Sequence, residues 1–81
     1  MKTIIEIYTR PGCHLCQDAK QVILAASAQF DFQLYERNVE DSAEMESNYG
    51  EEIPVVFING RKAFKHRITS SQLERYLSRL K

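Results

Sequence analysis

The apolar and polar positions of this chain fall into seven stretches, each with its own period. Thr3 to Tyr8 holds Ile4, Ile5, Ile7 and Tyr8 in a short, β-branched, nearly continuous run. That is the pattern of a strand buried on both faces. Thr9 to Gly12 is a turn. From Cys13 to Gln29 the apolar positions are Leu15, Ala19, Val22, Ile23 and Ala26, a helical spacing, with Gln17, Asp18, Lys20 and Gln21 on the other side. Phe32 to Val39 reads as a second strand, Phe32 and Leu34 on one face and Gln33, Tyr35 and Arg37 on the other.

Asp41 to Tyr49 predicts a short helix. Asp41 is its expected cap, Glu44 the box residue, Met45 and Tyr49 its inward face and Gly50 its C′ residue. Ile53 to Ile58 is again apolar. Asn59-Gly60 is the two-residue hairpin signal joining it to Arg61-Lys62-Ala63-Phe64. Thr69-Ser70-Ser71-Gln72 is a capping-box pattern opening a helix with Leu73, Tyr76, Leu77 and Leu80 on one face. The order is therefore β-α-β-α-β-β-α, with a parallel, right-handed first βαβ unit and an antiparallel closing hairpin.

Eighty-one residues with 43% hydrophobic and 27% charged side chains describe a single globular domain with a limited core. The formal net charge is zero, which argues against a nucleic-acid binder. No stretch approaches the ~20 apolar residues of a membrane-spanning helix. Met1-Lys2-Thr3-Ile4-Ile5-Glu6 carries an acid where a secretory leader needs a long apolar run, so the expected location is the cytoplasm. Charge is nonetheless segregated. Glu36, Glu40, Asp41, Glu44, Glu46, Glu51 and Glu52 share their segment with Arg37 alone. Arg61, Lys62, Lys65, Arg67, Arg75, Arg79 and Lys81 share theirs with Glu74 alone. Two solvated surfaces of opposite sign account for this, as does electrostatic steering of a partner.

Both cysteines lie in Tyr8-Thr9-Arg10-Pro11-Gly12-Cys13-His14-Leu15-Cys16, where a strand pattern passes through a Pro-Gly turn into a helix pattern. A Cys-x-x-Cys at that junction reads as a thiol–disulfide redox site. Residues three apart on a helix are roughly 5–6 Å from each other. A disulfide needs Cα atoms about 4.4–6.8 Å apart, so the pair closes without unfolding the helix. Unpaired N–H groups and the partial positive charge of the first turn favour a thiolate on Cys13. Cys16, a turn deeper, is expected to be more buried and less acidic. The bland alternative is a pair of small buried residues or an inert local disulfide.

These residues, taken with Ile53-Pro54-Val55-Val56-Phe57-Ile58-Asn59-Gly60, resemble the glutaredoxin branch of the thioredoxin-fold superfamily over essentially the whole chain. The resemblance implies a four-stranded mixed sheet of order 2-1-3-4 with helices on both faces. It implies that Cys13 attacks, that Cys16 resolves, and that Pro54 is cis and faces them. It also implies that the backbone of Ile53 pairs with substrate like an added strand, and that Arg10 engages a glutathione carboxylate. The chain departs from the family in three places. Cys-Pro-Tyr-Cys is here Cys13-His14-Leu15-Cys16, and Thr-Val-Pro is Glu52-Ile53-Pro54. The Gly-Gly turn and acid that help hold glutathione are replaced by Phe64-Lys65-His66-Arg67-Ile68-Thr69. The chain is most similar to glutaredoxin-like proteins sharing Cys-His-Leu-Cys.

The expected activity is thiol–disulfide exchange by a cytoplasmic monomer with no bound cofactor, glutathione entering as a co-substrate if at all. The partners are disulfide-containing proteins or glutathione, and a thiol reductant, either glutathione or a protein of the thioredoxin-reductase type. His14 either lowers the Cys13 pKa and makes the pair more oxidising, or faces solvent without a role. Lys65, His66 and Arg67 either favour an acidic substrate or form an exposed basic turn. Cys13, His14, Cys16 and His66 are zinc ligands only on paper, because zinc sites bring separated ligand pairs together; no metal is expected. The alternative function is a non-catalytic redox sensor or binding module switched by the Cys13–Cys16 disulfide.

Overall fold

The computed structural model describes residues 2–80. Met1 and Lys81, which entered the leader and charge readings, lie outside them. The elements are β1 (Thr3–Thr9), α1 (His14–Ala26), β2 (Phe32–Asn38), a single 3-10 turn (Val39–Asp41), α2 (Ala43–Tyr49), β3 (Val55–Ile58), β4 (Arg61–Lys65) and α3 (Ser70–Ser78). The sheet order is β2-β1-β3-β4. β1 and β2 are parallel, and the other two pairings are antiparallel. Fold class and strand order are those expected.

Alternation along β1 divides the sheet into two unlike faces. Ile5 and Ile7, both 0% exposed, point to one side, in register with Leu34 and Glu36 of β2 and with Ile58 and Val56 of β3. α1 covers this side with Ala19, Ile23 and Ala26, and α3 with Leu73 and Leu77. Here β1 differs from the strand expected to be buried on both faces. Ile4 is 39% exposed and Glu6 half-buried, because only the short α2 packs on their side. α2 has no fully buried residue. Tyr49 reaches the sheet, its ring 5.0 Å from Tyr8 and 5.6 Å from Phe57. Burial and the nearby Glu6 carboxylate push the Tyr8 hydroxyl pKa up.

Several boundaries shift for local reasons. α1 stops at Ala26, not Gln29, where the amides of Gln29 and Phe30 both donate to the Ala26 carbonyl and form a turn. Asp41 does not cap α2. The Asn38 side chain accepts from the Glu40 amide and winds residues 39–41 into their own turn, so the cap passes to Ser42, whose Oγ accepts from the Met45 amide at 3.0 Å. Gly50 is right-handed, φ −55°, unlike the left-handed C′ residue expected. Its glycine is a matter of space, since a Cβ there would lie 2.5 Å from the Glu46 carbonyl oxygen. The Asn59-Gly60 hairpin forms with φ of 53° and 82°, the geometry the strands' twist requires. The Thr69–Gln72 capping box forms with both its hydrogen bonds. Leu80, expected on the buried face of that helix, lies beyond its last turn and is 42% exposed.

Candidate functional site

β1 runs through the centre of the sheet and ends at Thr9. The Cys13 amide donates to the Arg10 carbonyl at 3.2 Å and closes a turn with Pro11 second and Gly12, φ +79°, third. Proline sets the second position of a type II turn, and only glycine takes the third without strain. The turn delivers Cys13 as the N-cap of α1. Its Sγ accepts a hydrogen bond from the Cys16 amide at 3.2 Å. The first turn of α1 contains no acid to oppose the field at that sulfur. Cys13 and Cys16 form a disulfide pair, Cα atoms 5.2 Å apart, with Cys16 buried and Cys13 partly exposed. Once the pair is reduced, the amide and the helix N-terminus favour the Cys13 thiolate. His14 is exposed.

The turn is anchored from below. Thr9 is buried, and its hydroxyl donates to Glu36 Oε2 at 3.0 Å, while Lys20 of α1 pairs with Glu36 Oε1 at 3.1 Å. The hydrogen bond from Lys20 holds the Glu36 carboxyl below its ordinary pKa, with Thr9 acting in the same direction. These contacts join α1, β1 and β2 just beneath the cysteines.

Ile53 and Pro54 precede β3, and their peptide bond is cis, as the resemblance implied. Pro54 is buried and Ile53 half-buried. Among the described residues, Ile53 makes no backbone–backbone hydrogen bond, whereas its neighbours Glu52 and Pro54 both accept from the His66 amide. The His66 backbone thereby ties the segment after β4 to the proline. It does so at φ +67°, a left-handed conformation that costs a residue with a Cβ roughly 1–2 kcal/mol. The glutaredoxin resemblance sets a Gly-Gly turn against this stretch, and the backbone at His66 has a shape that suits glycine. His66→Gly is therefore expected to raise the unfolding free energy by about 1 kcal/mol in urea titrations. A loss of stability instead would mean that imidazole contacts outweigh the backbone strain. With Leu15, Asp18, Ala19, Arg67, Ile68 and Thr69, His66 lines a cavity of about 110 Å³ beside the start of α1.

Lys65 and Arg10 are less free than their sequence positions suggest. Lys65 Nζ lies 3.9 Å from one oxygen of Glu52, and Lys62 pairs with the other. The hydrogen bond from Lys62 lowers the Glu52 pKa. Arg10 reaches back to α2, where its Nη2 donates to Glu46 and lies 3.5 Å from the Gly50 carbonyl. Its Nε is 3.8 Å from Glu40. Glu40, Glu46 and Glu52 were not legible as site neighbours, since their partners lie 10 to 36 positions away in the chain. Among the described residues, no three His, Cys, Asp or Glu side chains come together as a metal site, and no helix is long and apolar enough to cross a membrane.

Comparison with known proteins agrees with this geometry. The family model of the glutaredoxin-like domain (DUF836) matches residues 4–78. A Dictyostelium discoideum relative, "Glutaredoxin-like protein YDR286C homolog", is 32% identical over 75 residues, which cover 85% of this chain and 69% of the relative. The X-ray structure of protein XcR50 from X. campestris superposes with a TM-score of 0.78 at 25% identity, covering 93% of this chain and 96% of that one. Fasciola hepatica thioredoxin shares the fold, with a TM-score of 0.60 at 16% identity over 99% of this chain and 82% of its own.

Proposed function

This chain belongs to the glutaredoxin-like domain family, and on that basis we propose that it is a thiol–disulfide oxidoreductase. The observation that carries the reading is the pairing of Cys13 and Cys16 at the N-terminus of α1, with the Cys16 amide aimed at Cys13 Sγ. The Cys13 thiolate attacks one sulfur of a substrate disulfide, and the other sulfur leaves as a thiolate with the electron pair. Cys16, as thiolate, then attacks Cys13 Sγ and expels the second substrate sulfur. The substrate disulfide is reduced to two thiols, and the protein dithiol is oxidised to the disulfide. An external thiol, glutathione or a reductase protein, restores the dithiol by the reverse exchange.

The free backbone of Ile53 serves as the docking edge, where an extended substrate segment pairs as an added strand. Lys65 at the end of β4 and His66 in the turn after it flank that edge, and His14 tunes the Cys13 thiolate. The reaction uses no bound cofactor, and the site of action is the cytoplasm, where thiol reductants keep the pair cycling.

Turnover separates this reading from that of a redox sensor. With excess dithiothreitol as reductant, the protein is expected to reduce many equivalents of a protein disulfide such as that of insulin. A rate no higher than that of dithiothreitol alone would move the function to the sensor class.

A further inference from the structure

Arg10 is the only cation in the turn that carries Cys13, and the protein's own acids hold it. Its Nη2 donates to Glu46, its Nε faces Glu40 at 3.8 Å without making a hydrogen bond, and the Gly50 carbonyl stands 3.5 Å away. Arg10, Glu46, Gly50 and Glu51 line a cavity of about 230 Å³. Glu51 has no ion-pair partner among the described residues. An anion entering there meets a guanidinium already neutralised and a free carboxylate beside it.

We propose that Glu46 sets the charge preference of Cys13 by keeping Arg10 on α2, so that neutral and cationic disulfides react in preference to anionic ones. The inference rests on the oxidoreductase reading and narrows its substrates to disulfides without flanking negative charge. Glu46 acts through Arg10 and touches no reacting atom, so it determines specificity without joining the exchange. A bound carboxylate has to displace Glu46 before it gains the guanidinium. The gain is then the difference between two similar ion pairs, while the repulsion from Glu51 and Glu40 remains.

The test uses Cys16→Ser protein, in which Cys13 attacks and the mixed disulfide persists. The probes are oxidised glutathione (anionic), 2-hydroxyethyl disulfide (neutral) and cystamine (cationic). Each rate of adduct formation is divided by the rate of the same probe with a free-cysteine peptide. The expected order of these ratios is cystamine, then hydroxyethyl disulfide, then glutathione, and the spread narrows as salt rises from about 0.02 to 0.5 M. Glu46→Gln, isosteric and partly exposed, is expected to raise the glutathione ratio about three- to fivefold at low salt. The neutral probe should stay within about twofold. Glu44→Gln removes the same charge from α2 without touching Arg10, and should leave all three ratios nearly unchanged.

Equal effects of Glu44→Gln and Glu46→Gln would overturn the proposal, as would a common shift of all three probes or ratios that ignore salt. If Cys13 reacts no faster than the peptide with every probe, the oxidoreductase reading falls as well. A fast Cys13 without charge discrimination overturns this inference alone.

Discussion

Cys13→Ser is expected to bring disulfide reduction down to the uncatalysed rate, with the fold intact. Serine is nearly isosteric and still accepts the Cys16 amide as N-cap, so α1 keeps its start. On the proposed mechanism, what disappears is the nucleophile. A serine hydroxyl is not ionised near neutral pH and has no route to a mixed disulfide, whereas thiol exchange runs through the thiolate. Cys16→Ser is expected to fail differently. Cys13 still attacks, but nothing inside the protein releases the product, so a covalent adduct on Cys13 accumulates and multiple turnover with a protein substrate collapses. Intact mass after mixing with a disulfide substrate distinguishes the two variants, with an adduct on Cys16→Ser and none on Cys13→Ser. Adducts on Cys16 in the Cys13→Ser protein, at comparable rates, would exchange the two roles. The burial of Cys16, 3% exposed, argues against that outcome.

Ile7→Ala carries the largest expected cost in stability. Ile7 is fully buried in the central strand, beside Val56 of β3 and within the cluster that holds α1 and α3 on the sheet. Truncating such a side chain loses its transfer free energy and leaves a cavity, together about 2–5 kcal/mol. A domain of this size has a total stability of roughly 5–15 kcal/mol, with small chains towards the lower end. A loss of about 3 kcal/mol corresponds to a fall in Tm of roughly 12–24 °C. Ile4→Ala, in the same strand but facing the thinly covered side, is expected to cost about 1 kcal/mol or less. Thermal melts of the two variants compare the faces directly. Equal losses would contradict the division of the sheet into a packed side and an open one. Because β1 ends in the turn that carries Cys13, the Ile7 variant should also lose activity on warming well before the native protein does.

How much was legible in the chain follows from the range of each interaction. The hairpin at Asn59-Gly60, the Thr69–Gln72 capping box, the Pro-Gly turn and the cysteine spacing each operate within about four residues, and the structure contains all of them. Structure departs from sequence expectation where two local devices compete. Asn38 and Ser42 took over the start of α2 and left Asp41 without its expected role, although all three residue types cap well. β1 misled in another way. A run rich in isoleucine reads the same whether its second face is covered by a long helix or by the single ring of Tyr49.

The sequence by itself determined the order of elements, the parallel β1–β2 unit, the β3–β4 hairpin and the cysteine spacing, because period, turn chemistry and spacing are properties of neighbours, whereas the β1–β3 pairing at the centre of the sheet followed only from the family resemblance. Tertiary structure alone decided what surrounds the cysteine pair. It placed Glu46 on Arg10 across 36 positions and Glu36 between Lys20 and Thr9, drew Lys62 and Lys65 to Glu52, and set His66 in a left-handed turn against Pro54. Ion pairs between partly exposed side chains carry no periodic signature. They form only after packing has fixed which turn faces which helix, and so the electrostatics around Cys13 are a property of the assembled fold.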